Sequence, residues 1–343
     1  MFEREKYGFG SILDDYLKYN KISQSDFAER LGVTQKHINS VINGKSEISA
    51  DLMIGISLIT NIDINLIVFA EEEKKIYNYL KSKFNSEKEI NDYLKKFQIK
   101  ELKEKKWIAF KDITSPIQNT MDLLDYLNIR NFDILNNYNE RKILFKKSND
   151  SSLIKISLWI ARCDKLIKKQ KVNKYDKINL KKLLEKLKIL RLETYEENKL
   201  IKTFNEHGIY LVIEDALKGT KIRGCTSVKI NNPAIYLTRL YKDKASLYFT
   251  LYHELGHVKS DYNMAKSKII IDLNEDLEKR ADKFALNNMI DEKTWIKIKE
   301  NKENIKNICR EKNIPVCFAT SRLAKENIIS YQSKIYNDNR EKI

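Results

Sequence analysis

Residues 253–257 read His253-Glu254-Leu255-Gly256-His257, and this pentapeptide constrains the fold around it more than any other stretch of the chain. At a spacing of i and i+4, both imidazoles leave the same face of an α-helix one turn apart and can share a metal ion. The preceding run, Leu247, Tyr248, Phe249, Leu251 and Tyr252, is apolar, as expected for a helix that crosses a core. The chain holds only four histidines in 343 residues, so the pair is not a by-product of composition. Glu254 lies next to both and can reach a water on the metal. Zinc brings the pKa of such a water toward neutrality, and a carboxylate then completes its deprotonation for attack on a carbonyl. The competing reading is a packed helix that only happens to carry this sequence.

Two histidines leave zinc incomplete, because a catalytic site usually has three protein ligands and an open position. Glu278 follows His257 after enough chain to turn and bring a second helix alongside. In the run Glu278-Lys279-Arg280-Ala281-Asp282-Lys283-Phe284-Ala285, the two alanines allow a close helix approach and Phe284 packs into the core. Glu278 is the preferred third ligand, with Glu275 one turn earlier as its competitor. Asp282 is placed to hydrogen-bond the free ring nitrogen of His253 and fix its tautomer, the alternative being a solvent-exposed helix charge. Of the other histidines, His207 reads as a loop residue before a strand.

Around this site the pattern is mixed. Ile209–Ile213, Gly224–Ile230 and Ala234–Thr238 are β-rich, with Gly208, Gly219 and Asn231-Asn232-Pro233 as breakers. Long helices are expected from Lys244 to about Ser260 and from Asn274 to Ile290, and two more flank Pro315. The N-terminal 70 residues differ in kind. Ser23 can cap a helix carrying Asp26, Phe27, Ala28 and Leu31, which Gly32 ends. Thr34 can cap the next, with Ile38, Val41 and Ile42 inward and Gly44 as its stop. Two short helices joined by a glycine-containing turn are the helix-turn-helix pattern. Between these regions, 71–200 reads as charged amphipathic helices forming a connector. One helix is expected to end at Thr114-Ser115-Pro116, and Leu180, Leu183, Leu184, Leu187 and Leu190 form an apolar stripe.

The expected organisation is therefore 1–70 for a DNA-binding domain of five-helix type, 71–200 for a basic helical connector and 201–343 for an α+β domain, mainly α overall. A chain of this length with 42% hydrophobic residues can bury more than one core. No stretch approaches the roughly 18 uncharged apolar residues of a membrane span, and the first ten residues lack the apolar run of a signal peptide. Cys163, Cys225, Cys309 and Cys317 form no CxxC pair, which argues against a disulfide framework and for the cytoplasm.

The net charge of +16 is unevenly placed. Residues 1–70 carry 7 basic and 9 acidic side chains, 71–200 carry 31 and 20, and 201–343 carry 26 and 19. Lys165–Arg191 is densest, with 11 basic residues against Asp176 and Glu185. Such a patch can attract nucleic acid, RNA included, or simply be a solvated helix face.

The block FTLYHELGH at 249–257, followed by E-x-x-A-x-x-F-A at 278–285, resembles the ImmA/IrrE metallopeptidases, which are zincin-like. Gly208-Ile209, Pro233-Ala234-Ile235 and the stretch from Ile314-Pro315 to Arg322-Leu323 extend the resemblance over roughly 190–340. It implies one zinc ion per chain held by His253, His257 and Glu278, with Glu254 as catalytic base. The chain departs from the pattern at Asn287-Asn288-Met289-Ile290-Asp291, where a Leu-Met-Pro-like end is expected, and this touches the cleft wall rather than the metal ligands. No spacing selects an oxyanion-stabilising group, for which Arg322 and several tyrosines are candidates.

The block SQSDFAERLGVTQKHINSVINGK at 23–45 resembles Xre-type helix-turn-helix domains, and its sequel is similar to HigA-type antitoxins. In such a domain the second helix lies in the major groove, which makes Gln35, Lys36 and Asn39 base-reading candidates and Gln24, Asn43 and Lys45 phosphate contacts. His37 is as readily a surface residue. The expected function is a cytoplasmic, homodimeric regulator that binds operator double-stranded DNA and cleaves a protein partner, a repressor, a toxin or this chain itself. The alternative is a non-catalytic antitoxin or autorepressor whose C-terminal domain only binds a partner or senses a signal.

Overall fold

The structure is a computed structural model that describes residues 7–135, 137, 143–144, 150–240, 242–271 and 275–343. The chain divides into two compact units, Met1–Asn128 and Ile129–Ile343.

In the first unit, α1 (Phe9–Tyr19), α2 (Gln24–Arg30), α3 (Gln35–Ile42), α4 (Ala50–Thr60) and α5 (Ile64–Lys83) enclose a core that includes Phe9, Leu13, Phe27, Ile38, Val41, Ile56 and Ile67. The caps follow the sequence. Ser23, Thr34 and Ser49 accept from the backbone N–H groups of Asp26, His37 and Leu52, each satisfying a donor that the first helical turn leaves open. Gly32 and Gly44, both at φ +67°, end α2 and α3 in the left-handed region. Gly10 lets α1 press against α3, since a Cβ there would stand 2.5 Å from the carbonyl oxygen of Ile42.

The expected boundary at residue 70 falls inside α5. Ile64–Lys83 contains no Gly or Pro, so nothing interrupts the helix. Buried Glu71 accepts a 3.1 Å hydrogen bond from the Phe9 N–H and so closes the start of α1. The unit continues through α6 (Glu87–Leu94), α7 (Ile99–Glu104) and α8 (Pro116–Leu127). Thr114-Ser115-Pro116 opens a helix instead of ending one: Ser115 caps by accepting from the Gln118 N–H, and Pro116 occupies the first turn, where its missing N–H costs nothing.

The second unit has a five-stranded sheet in the order β1-β5-β3-β4-β2, with β1 (Ile143–Leu144), β2 (Tyr210–Ile213), β3 (Gly224–Lys229), β4 (Asn232–Leu237) and β5 (Ile269–Ile270). β2 runs parallel to β4, and β3 is antiparallel to both β4 and β5. Segment 129–200 belongs to this unit and is not a separate connector. On α9 (Asp150–Ile167) the Trp159 indole donates to the Glu214 carbonyl, and Asp164 accepts from the Tyr236 hydroxyl. The leucine stripe of α10 (Lys177–Leu190) joins the same core as α11 (Glu197–Glu206), β2 and β4.

The long helix α12 (Lys244–Ser260) crosses this core as its sequence anticipates. After the short α13 (Tyr262–Ala265) and β5, α14 (Glu275–Met289) lies along α12. Asn274, its expected first residue, is outside the described residues. Gly256 permits the close pairing, because a Cβ there would be 3.1 Å from the Ala281 Cα. Helices α15 (Glu292–Glu300), α16 (Ile305–Glu311) and α17 (Val316–Lys325), with α18 (Lys334–Asp338), complete the unit.

Candidate metal centre and helix-turn-helix surface

His253 and His257 leave α12 on one face, with their Nε2 atoms 3.2 Å apart. Glu278 of α14 faces both: Oε2 is 3.1 Å from His253 Nε2 and Oε1 is 3.5 Å from His257 Nε2. One donor atom from each of the three lies within 4.8 Å of the others, a spacing that suits a shared cation. The outer nitrogens are also engaged, His253 Nδ1 with Asp282 at 2.9 Å and His257 Nδ1 with Asp261 at 2.9 Å. With protons drawn to Nδ1 by these carboxylates, the two Nε2 atoms present lone pairs to each other. That arrangement is favourable only with positive charge between them, either protons or a metal ion.

The electrostatics agree with the geometry. Burial opposes protonation of His253, but hydrogen bonding to Asp282 and Glu278 outweighs it and raises the imidazole to about 10. His257 shifts in the same direction: burial disfavours its charge, while Glu278, Glu254 and Asp261 favour it. Both shifts reflect carboxylates that favour positive charge on the two imidazoles.

Glu254 is buried, and burial raises its carboxyl above the usual carboxylate range. The Thr226 hydroxyl on β3 donates to Oε2 at 2.6 Å. The absence of a side chain at Gly224 makes room for the other oxygen, since a Cβ there would lie 2.8 Å from Oε1. Glu254, the two histidines and Glu278 line a cleft of about 330 Å³ into which Lys221, Arg223 and Phe249 also project.

The structure brings Glu278 to the histidines and leaves Glu275 outside, where it pairs with Lys279 on the exposed helix face. Asp282 meets the ring nitrogen expected of it. The sequence reasoning missed Asp261, although its i+4 spacing from His257 is a usable signal, and Arg280, which pairs with Asp261. It also missed Thr226, which only strand placement reveals. Arg322 is no oxyanion candidate: buried, it pairs with Glu326 at 2.9 Å and stacks on Trp295, 4.2 Å from the ring centroid. Tyr248 and Tyr252 are core residues. His207 ends α11, with Nδ1 2.7 Å from the Thr203 carbonyl oxygen. Within the basic stretch, Arg191 is buried and donates to the carbonyls of Asn288, Met289 and Asn313, closing the end of α14. Lys181, Lys182 and Lys186 form the solvated face of α10 opposite its buried leucines.

On the first unit, Gln35, Lys36 and Asn39 are exposed on α3. Asn39 donates to Gln24 Oε1 at 3.2 Å, and Asn43 donates to the Asn39 side chain at 3.1 Å, so three of the expected contacts form one polar chain across α2 and α3. Lys45 is exposed just beyond α3.

Residues 15–67 match the helix-turn-helix family model. The match runs from within α1 into α5 and includes both helices of the reading pair. It supports a DNA-binding transcriptional regulator with double-stranded DNA as ligand. No curated protein and no solved structure matches the chain. Among the described residues, no helix is long and apolar enough to cross a membrane.

Proposed function

We propose that this chain is a DNA-binding regulator whose second unit is a zinc-dependent endopeptidase acting on a protein partner. The observation that carries the reading is the convergence of two imidazole Nε2 atoms and one carboxylate beside a buried, hydrogen-bonded glutamate. His253, His257 and Glu278 would hold the ion, and the donor set of two imidazoles with one carboxylate is one that zinc accepts. When bound, zinc supplies a Lewis acid that polarises the scissile carbonyl. Asp282 and Asp261 orient the imidazoles, and Thr226 fixes one oxygen of Glu254. Burial makes Glu254 readier to take a proton than an exposed carboxylate, which suits a general base that then returns the proton to the leaving amine.

In the first unit, α3 is the reading helix, with Gln35, Lys36 and Asn39 toward bases and Gln24, Asn43 and Lys45 toward phosphates. Two copies bind the two half-sites of an operator in the cytoplasm.

The test is zinc content of the full chain by mass spectrometry, beside hydrolysis of an internally quenched peptide library. Zinc bound by the wild type, hydrolysis abolished by a chelator, and Glu254→Gln keeping zinc while losing hydrolysis are expected. A folded chain that retains no zinc after its addition, or undiminished hydrolysis by Glu254→Gln, refutes the peptidase reading and leaves a regulator whose second unit only binds.

A further inference from the structure

A second cavity adjoins the metal cleft and belongs to none of the roles above. It measures about 460 Å³ and shares Arg223, Phe249 and Thr250 with that cleft, so the two lie side by side. The shared wall is α12 itself. Phe249 is one helical turn before His253, with its ring 6.2 Å from the imidazole.

The cavity combines two chemistries. Its apolar surface is presented by Phe249 and Leu286, backed by the buried Met289, Ile290 and Phe318, and its volume accommodates an aromatic or long aliphatic side chain. Its rim is cationic. Arg322 is consumed within the fold by Glu326 and Trp295. Lys325 is different: its ammonium sits 3.9 Å from the centroid of the Phe249 ring, and Asp282 and Glu326 act on its charge from a distance rather than as close ion-pair partners. Arg340, on the tail segment that forms the outer wall, reaches Asp243 only at 3.8 Å. Asp243 already accepts from the N–H and hydroxyl of Ser246. The rim therefore has positive charge to offer a ligand.

We propose that this cavity is the specificity pocket beside the metal cleft. It selects a protein segment that places a large apolar side chain against Phe249 and Leu286, with an acidic neighbour at Lys325 and Arg340. Adjacency to the metal cleft makes a peptide the occupant, since an extended chain that crosses His253 and Glu254 can place a neighbouring side chain in the pocket. The inference rests on the peptidase reading for the cleft it adjoins, but the pocket itself is built from residues outside the metal ligands.

The experiment measures binding by fluorescence anisotropy to the full chain carrying Glu254→Gln, so that nothing is cleaved. The probes are fluorescein-labelled octapeptides of Ala and Gly with a central Phe-Glu, Phe-Lys or Ala-Glu pair. Phe-Glu is expected to bind about tenfold or more tightly than either of the others. Ser321→Phe, which fills the cavity from its wall without removing a core contact, is expected to erase that advantage. Lys325→Glu is expected to reverse the Glu-over-Lys preference. Equal affinity for the three peptides, or an unchanged preference in Ser321→Phe, overturns the proposal. Zinc content measured on the same samples separates the two ideas. Peptide preference without zinc refutes the peptidase and keeps the pocket, whereas zinc without preference refutes the pocket alone.

Discussion

Asp261 and Asp282 hold the two imidazoles at the same distance, 2.9 Å, from opposite degrees of shelter, and this separates their expected contributions to metal affinity. The Asp261 side chain is 5% exposed and that of Asp282 is 46% exposed. A carboxylate behind a metal-binding histidine is worth about 10- to 100-fold in affinity. In Asp282→Asn, water and the amide oxygen can still receive the His253 Nδ1 proton, so the loss belongs near the lower end, about tenfold or ~1.4 kcal/mol. In Asp261→Asn no water replaces the charge and Arg280 loses its partner, so the loss belongs near the upper end, about 100-fold or ~2.8 kcal/mol. The assay is competitive zinc titration against a chelating dye, with circular dichroism to confirm that each variant is folded. Glu275→Gln serves as the control, because that side chain is 75% exposed and stands apart from the cluster. The reasoning is refuted if Asp282→Asn loses as much affinity as Asp261→Asn, or if Glu275→Gln loses as much as either.

Further outcomes are expected. His253 is raised to about 10, so the chain without metal is expected to carry a proton there at neutral pH, which zinc bound as proposed would displace. Calorimetry in buffers of different ionisation enthalpy should show proton release at pH 7 and affinity rising with pH, and a pH-independent affinity contradicts this. The same shift stabilises the metal-free chain fully below the ordinary imidazole value of 6.5, and that contribution disappears as pH rises through about 10. Gly10→Ala should destabilise the first unit by about 1–3 kcal/mol, because the new Cβ would meet backbone oxygens of α3 at 2.5 and 2.6 Å; an unchanged melting temperature of that unit would count against the packing described. Lys45→Ala should weaken DNA binding uniformly across sequences and lower the salt slope by about one, whereas Gln35→Ala should lose discrimination at one base position. A uniform loss in Gln35→Ala would reassign it to the phosphates.

Local chemistry made much of this molecule legible from residues alone. Ser23, Thr34 and Gly44 bound the helices they were expected to bound, because a hydroxyl cap and a left-handed glycine act within one turn. The same locality explains an error at Thr114-Ser115-Pro116. Ser-Pro reads as a break, yet the same pair is a helix start, and nothing within the tripeptide says on which side the helix lies.

The sequence by itself determined that His253 and His257 share a face, since i and i+4 on any α-helix do so. It also determined that Glu254 adjoins them. Only the tertiary structure decided that Glu278 and not Glu275 completes the cluster, because that depends on the rotation of α14 against α12, set by Gly256 and Ala281 at their contact. Only it could seat Glu254 between Thr226 and Gly224, on a strand 28 residues or more earlier in the chain. Likewise, the α10 leucine stripe announces a buried face but not its partner. Periodicity records that a side chain must leave water, and the partner is fixed by which other surfaces need the same burial.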